Sequence, residues 1–281
     1  MEILLPFLLV IIASFFQGSF GLGMKYMEPL KWEAWWIIHV TIAMIIFPIS
    51  WAIIVVPNLF EVIGNAPKDA VFLGMLYGFL WGVGGILFGK SVPYIGLSLT
   101  YGIVMGLAAS VGSIIPLIQV EDAFSNPATN HVILAVVIML VGVALSAKAG
   151  IERDKLIGNT NDSSNISKGI MIAVSCGILS ALLNVGFANA TPVALEAEKM
   201  GALTRNSSLA AWVVVLLGAF LMNLGYAVVL LFKNKSWSSF QVPSAGNAYK
   251  WAILAGLFWF AALGIYGPVS YTHLRAHETD S

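Results

Sequence analysis

The chain has 281 residues, of which 59% are hydrophobic and only 10% charged. Its mean hydropathy is +0.88. A soluble domain is about half apolar and a quarter charged, so this chain cannot hide its apolar surface inside a water-soluble globule. Its 14 basic and 14 acidic residues balance, which gives no ground for a nucleic-acid partner or an acidic tail. A single cysteine, Cys176, rules out an intrachain disulfide and a cysteine zinc cluster. What remains is an all-α polytopic membrane protein in a lipid bilayer. Strict apolar/polar alternation is missing, which disfavours an outer-membrane barrel.

A bilayer core takes roughly 20 apolar residues as a helix. Such runs occur, in chain order, at 3–23, 35–56, 70–90, 94–118, 131–149, 168–188, 208–232 and 249–269. The first opens Met1-Glu2 and lacks both a basic n-region and an Ala-x-Ala site, so it reads as a span and not as a signal peptide. Most links are short and carry Pro, Asn or charge, as between Pro57 and Lys68. The most polar link, 151–167, holds Glu152, Arg153, Asp154 and an Asn/Ser cluster, and reads as a cytoplasmic linker between two halves. Odd-numbered links hold Lys25, Lys31, Lys90, Lys148, Arg153, Lys155, Lys168, Lys233, Lys235 and Lys250, whereas even links hold Lys68, Lys199 and Arg205. That asymmetry predicts odd links in the cytoplasm and a periplasmic N-terminus.

An internal repeat is visible. The first span reads Ser14-Phe-Phe-Gln17-Gly-Ser-Phe20 and the sixth reads Ala181-Leu-Leu-Asn184-Val-Gly-Phe187. The third has Leu76, Gly78, Trp81 and Gly89; the eighth has Leu254, Gly256, Trp259 and Gly267 at the same spacings. Chance apolar similarity is the alternative, but two matches in order favour a true repeat. A repeat unit of five helices, an odd number, would invert the second copy in the membrane, as in many secondary transporters. Residues 1–150 then form a first five-helix repeat and 168–270 an incomplete second copy of three helices. Residues 271–281 are polar and aperiodic, and are expected to be a non-native cloning remnant, with a genuine short tail as the alternative. His273 and His277 belong to that segment, so no histidine pair argues for a metal.

Gly74, Gly78 and Gly82 recur every four residues in the third span, and Gly102 and Gly106 repeat the spacing in the fourth. Small residues at this spacing make a flat stripe where helix backbones approach closely. Static packing explains part of it; a surface for helices to slide on is the sharper reading.

Polar side chains at membrane depth are Gln17, His39, Tyr77, Tyr101, Asn184, Asn189 and Asn223. They must face the bundle interior, because unpaired polar groups are costly in lipid. Helix–helix hydrogen bonding, worth about 1 kcal/mol or less, accounts for any one of them. Gln17 and Asn184 stand out by occupying matching repeat positions. Paired carboxamides supply donors and acceptors suited to hydroxyls. Trp32 and Trp35 at the start of span two are expected as interfacial anchors. Trp81 and Trp259 lie too deep for that belt. An indole face can stack on a sugar ring, though core packing explains it equally. The candidate substrate-binding set is therefore Gln17, Asn184, Trp81, Tyr101, Asn189 and Trp259.

Lys25, Glu28, Lys31 and Glu33 cluster after span one, and His39 follows. A carboxyl at a cavity mouth can carry a coupling proton, and histidine titrates near neutrality. Glu33 and His39 are thus the candidate coupling groups, against a solvated loop with an ordinary ion pair. Glu196, Glu198 and Lys199 read as a solvated loop. The sequence holds no hydrolase, metalloprotease or nucleotide-binding motif, so no enzymatic activity and no cofactor beyond the coupling proton are expected.

The segment Gly78-Phe-Leu-Trp-Gly-Val-Gly-Gly-Ile-Leu-Phe-Gly89, with Gly96-Leu-Ser-Leu-Thr-Tyr-Gly-Ile-Val-Met-Gly106 and Gly112-Ser-Ile-Ile-Pro116, resembles the third and fourth helices of the L-rhamnose–proton symporter family, within the drug/metabolite transporter superfamily. Lys31-Trp-Glu33 with Trp36, and Cys176-Gly-Ile-x-Ser180, extend the resemblance. It implies ten helices in two inverted five-helix repeats, a central sugar site, and uptake of L-rhamnose with a proton across the bacterial inner membrane by alternating access. This chain carries no ninth or tenth span. An exporter of the same superfamily and a non-transporting membrane subunit or fragment remain as alternatives.

Overall fold

A computed structural model describes residues 4–118, 127–156 and 163–279. All regular structure among them is helical: α1 (Leu4–Ser19), α2 (Leu22–Lys25), α3 (Trp32–Thr41), a π-turn (Ile42–Ile46), α4 (Phe47–Val55), α5 (Leu59–Asn65), α6 (Lys68–Ile95), α7 (Leu97–Leu117), α8 (Pro127–Leu156), α9 (Ser163–Ser180), α10 (Leu182–Asn189), α11 (Thr191–Lys199), α12 (Thr204–Asn234), two 3₁₀ turns (Trp237–Gln241 and Pro243–Ala245) and α13 (Gly246–Thr279). Seven helical stretches are long and apolar enough to cross a bilayer, and a shorter apolar one covers Leu99–Ile115. Each falls on one of the apolar runs read from the sequence. The protein is an all-α polytopic membrane protein.

Local chemistry sets the breaks. Gly96 separates α6 from α7 at φ +77, a left-handed conformation that favours glycine. In the second span, Pro48 has no N–H to donate, and its ring crowds the carbonyl one turn earlier. The wide π-turn at Ile42–Ile46 lies just before it, and such a turn re-aims a helix without ending it.

Helix reaches further than apolarity indicates. The link after Pro57 contains α5. α8 extends through Glu152, which pairs with Lys148 one turn earlier at 3.9 Å. Residues 157–162 of the expected linker lie outside the described residues. Glu196, Glu198 and Lys199, expected in a loop, sit on α11, which opens with Pro192 at its start. α13 continues to Thr279, since extending a formed helix costs far less than nucleating one.

The chain forms two compact units, one of residues 1–76 with 189–281 and one of 77–188. Each draws on residues from before and after the polar 151–167 link. In the first unit α3, α12 and α13 pack on one another, and α1 lies along α13. Its core places Trp35 and Leu30 against Ala245, Ala248, Ala252 and Ala255. The last three alanines form a stripe on α13 that lets a large ring sit flat against the helix. In the second unit α7 packs against both α8 and α9, around Ile95, Leu99, Ile103, Val104, Ala173 and Cys176.

Glycines mark the closest helix crossings. A β-carbon on Gly218 would lie 1.9 Å from the Met75 carbonyl oxygen, and one on Gly106 would lie 2.0 Å from a Val143 methyl. Gly74 meets Ala190 at 3.1 Å, and Gly102 meets Ser146 only at 3.8 Å. Gly78 and Gly82 are buried on α6. Gly84, outside the predicted stripe, lies against Leu179 and Ser180 of α9.

Candidate functional site

Glu33 sits in the first turn of α3, where a negative charge is favoured by the helix dipole. Its side chain is only 5% exposed. One carboxylate oxygen accepts a hydrogen bond from Asn234 Nδ2 at 3.1 Å and another from the Ser236 hydroxyl. Lys235 between them adopts a left-handed conformation, φ 51, that ends α12. The turn thereby brings both neutral donors to the carboxylate. Ser239 donates to the Ser236 carbonyl at 2.8 Å and fixes the turn. The carboxylate is thus buried and held by neutral donors, with the Lys31 charge acting on it as well. The sequence reading missed Asn234 and Ser236, although the count of links places them on the same membrane side as Glu33.

His39 lies about two turns further along the same span and is 1% exposed. Its ring stacks on Trp35 at 5.2 Å and 8°, and on Phe20 at 6.0 Å and 24°. Trp36 lies 5.1 Å away at a tilt. The Ala252 backbone carbonyl faces one imidazole nitrogen, and Nδ1 has no hydrogen-bond partner.

The aromatic row continues outward. Trp32 stacks on Trp36 at 5.1 Å and meets Tyr226 edge-on. Trp36 Nε1 donates to Asn223 Oδ1 at 3.0 Å, and Asn223 Nδ2 donates to the Ala219 carbonyl at 2.9 Å. Asn223 is thus a satisfied crosslink between α3 and α12. Trp35 is fully buried. The interfacial-anchor expectation for it is therefore corrected: the α13 alanine stripe gives the ring an apolar seat inside the protein.

The remaining candidates divide between the two units. In the first unit Gln17 is half-buried on α1, with Oε1 enclosed and unpartnered. Asn189 is half-buried, and Trp259 is buried on α13. In the second unit Trp81 and Tyr77 are half-buried on α6. Tyr101 meets Phe88 edge-on at 5.6 Å. Asn184 is exposed on α10 and lies over Gly112, where a β-carbon would come within 2.6 Å of Asn184 Nδ2. The structure thus joins Glu33 to Asn234 and Ser236, and His39 to Trp35, Trp36 and Phe20.

Residues 2–277 match the family model described as L-rhamnose-proton symport protein (RhaT). The chain is similar to a protein of Yersinia pestis (strain Pestoides F) named L-rhamnose-proton symporter, with 26% identity over 250 residues, covering 86% of this chain and 73% of that protein. A protein of the same name from Mannheimia succiniciproducens is 30% identical over 224 residues, 79% of this chain and 65% of that relative. No solved structure matches the chain.

Proposed function

This chain belongs to the L-rhamnose-proton symport protein family, and from that premise we propose that it carries L-rhamnose inward with a proton, by alternating access across the bacterial inner membrane. Membership in a symporter family makes it a transporter and not an enzyme. The observation that carries the coupled mechanism is the Glu33 carboxylate, held within an apolar span by two neutral donors. An ionisable group inside a membrane span marks an ion or proton pathway by default. Glu33 takes the coupling proton; once protonated it is a weaker acceptor for Asn234 and Ser236, so proton binding loosens the tie between α3 and the turn after α12. The candidate sugar contacts within the first unit are Gln17 and Asn189, through hydroxyls, and Trp259, through the ring; within the second unit they are Asn184, Tyr101 and Trp81. The two copies of the repeat, residues 1–150 and 168–270, are inverted, with the odd links cytoplasmic and the N-terminus periplasmic.

The test is accumulation of radiolabelled L-rhamnose by cells that lack their own uptake system and express this chain. Accumulation that a protonophore collapses supports the reading. Expression at the membrane without accumulation contradicts it.

A further inference from the structure

Polar atoms buried without partners are rare in a folded protein, and each calls for an explanation. Two belong to rings stacked on each other, Trp35 Nε1 and His39 Nδ1, and a third, Gln17 Oε1, lies one turn before Phe20, which also stacks on His39. Trp35 and His39 are 0% and 1% exposed, and their rings lie parallel at 5.2 Å. Phe20 also stacks against His39, at 6.0 Å and 24°. Gln17 sits one turn before Phe20, on the same side of its helix. The surroundings offer almost no internal remedy, since the neighbours of Trp35 are Leu30, Ala245, Ala248, Ala252 and Ala255.

The three atoms are chemically complementary to one kind of guest. Trp35 Nε1 can only donate, and Gln17 Oε1 can only accept. The Ala252 backbone bonds the imidazole and Nδ1 is the nitrogen without a partner, so we assign the proton to Nε2, which makes Nδ1 of the neutral ring an acceptor. A hydroxyl group accepts from one partner while donating to another. Neither a carboxylate nor an ammonium does both.

We propose that Trp35 Nε1 and His39 Nδ1, with Gln17 Oε1 at the edge, form a subsite for one hydroxyl of the transported sugar. Trp35 donates to the hydroxyl oxygen and His39 accepts its proton. Trp35 thereby becomes a specificity residue, and His39 a sugar contact and not the coupling group. The inference rests on the sugar-transport reading above and deepens it.

The experiment uses the full chain in lipid nanodiscs, with tritiated L-rhamnose as the probe and each monodeoxy L-rhamnose as competitor. The wild type is expected to reject one monodeoxy analogue by about tenfold or more, because losing that hydroxyl strands buried polar atoms. Trp35→Phe and His39→Phe should each weaken binding of L-rhamnose by about tenfold and erase the discrimination against that one analogue, while leaving the other analogues ranked as before. Sugar binding by the wild type with unchanged selectivity in both variants overturns the subsite and leaves the transport reading standing. A fall in thermal stability of both variants with unchanged selectivity makes Trp35 and His39 packing residues, and likewise overturns it. If the wild type binds no L-rhamnose at all, the transport reading and this subsite fall together.

Discussion

Trp36 and Asn223 are 187 positions apart in the chain and are joined by a 3.0 Å hydrogen bond between their side chains. Asn223 is buried, so replacing Trp36 by Phe leaves Oδ1 without its donor. In membrane helices such a bond is worth about 1 kcal/mol. A double-mutant cycle of Trp36→Phe with Asn223→Ala, followed by thermal unfolding in detergent, should show coupling of about that size. Additive losses would mean the bond contributes nothing.

The glycine crossings make opposite predictions at two positions of one helix. Gly218→Ala drives a methyl into the Met75 backbone, which cannot rotate away. Overpacking of this kind costs about 1–3 kcal/mol or more, so thermal stability should fall and membrane yield with it. Gly225 has nothing within 4 Å of a new β-carbon. Gly225→Ala should be neutral or gain up to about 1 kcal/mol from helix propensity. Equal behaviour of the two variants would contradict the observed contacts.

Asn184 lies directly over Gly112. If Asn184 holds the sugar, Gly112→Ala must displace its amide and reproduce the defect of Asn184→Ala. Both variants should weaken L-rhamnose uptake by about tenfold at normal expression, the scale of one lost buried hydrogen bond. Normal uptake in both would remove Asn184 from the site.

Gln17→Ala is expected to act in the same direction and by about the same factor. Its Oε1 is enclosed and unpartnered in the structure, so removing it cannot strand an internal donor. A loss of uptake without a loss of thermal stability therefore reports on the sugar. A loss of stability alone would make Gln17 a packing residue.

The spans were legible because an apolar run of bilayer length is a property of composition, independent of what it packs against. The helical links were not. The segment Leu59–Asn65 ends in Gly64 and Asn65, poor helix formers whose conformation is settled by tertiary packing. Trp35 was illegible for a related reason. A tryptophan at the head of a span suits a headgroup belt or a core equally, and the alanine stripe that decides it lies on α13. Glu33 was legible as a candidate, since it is a carboxyl in the charged cluster at the mouth of the second span. Its donors were not, because Asn234 and Ser236 stand 201 and 203 residues away and owe their placement to the left-handed turn at Lys235.

The central claim is that sugar entry and proton entry are one event at Glu33. The direct measurement is the external pH of lightly buffered, energy-depleted cells expressing the chain, recorded as L-rhamnose is added. The wild type should alkalinise the medium, and Glu33→Gln, which keeps an acceptor for Asn234 and Ser236, should abolish the pH change while retaining sugar exchange. Rhamnose entry without alkalinisation in the wild type, or undiminished alkalinisation in Glu33→Gln, would contradict the account.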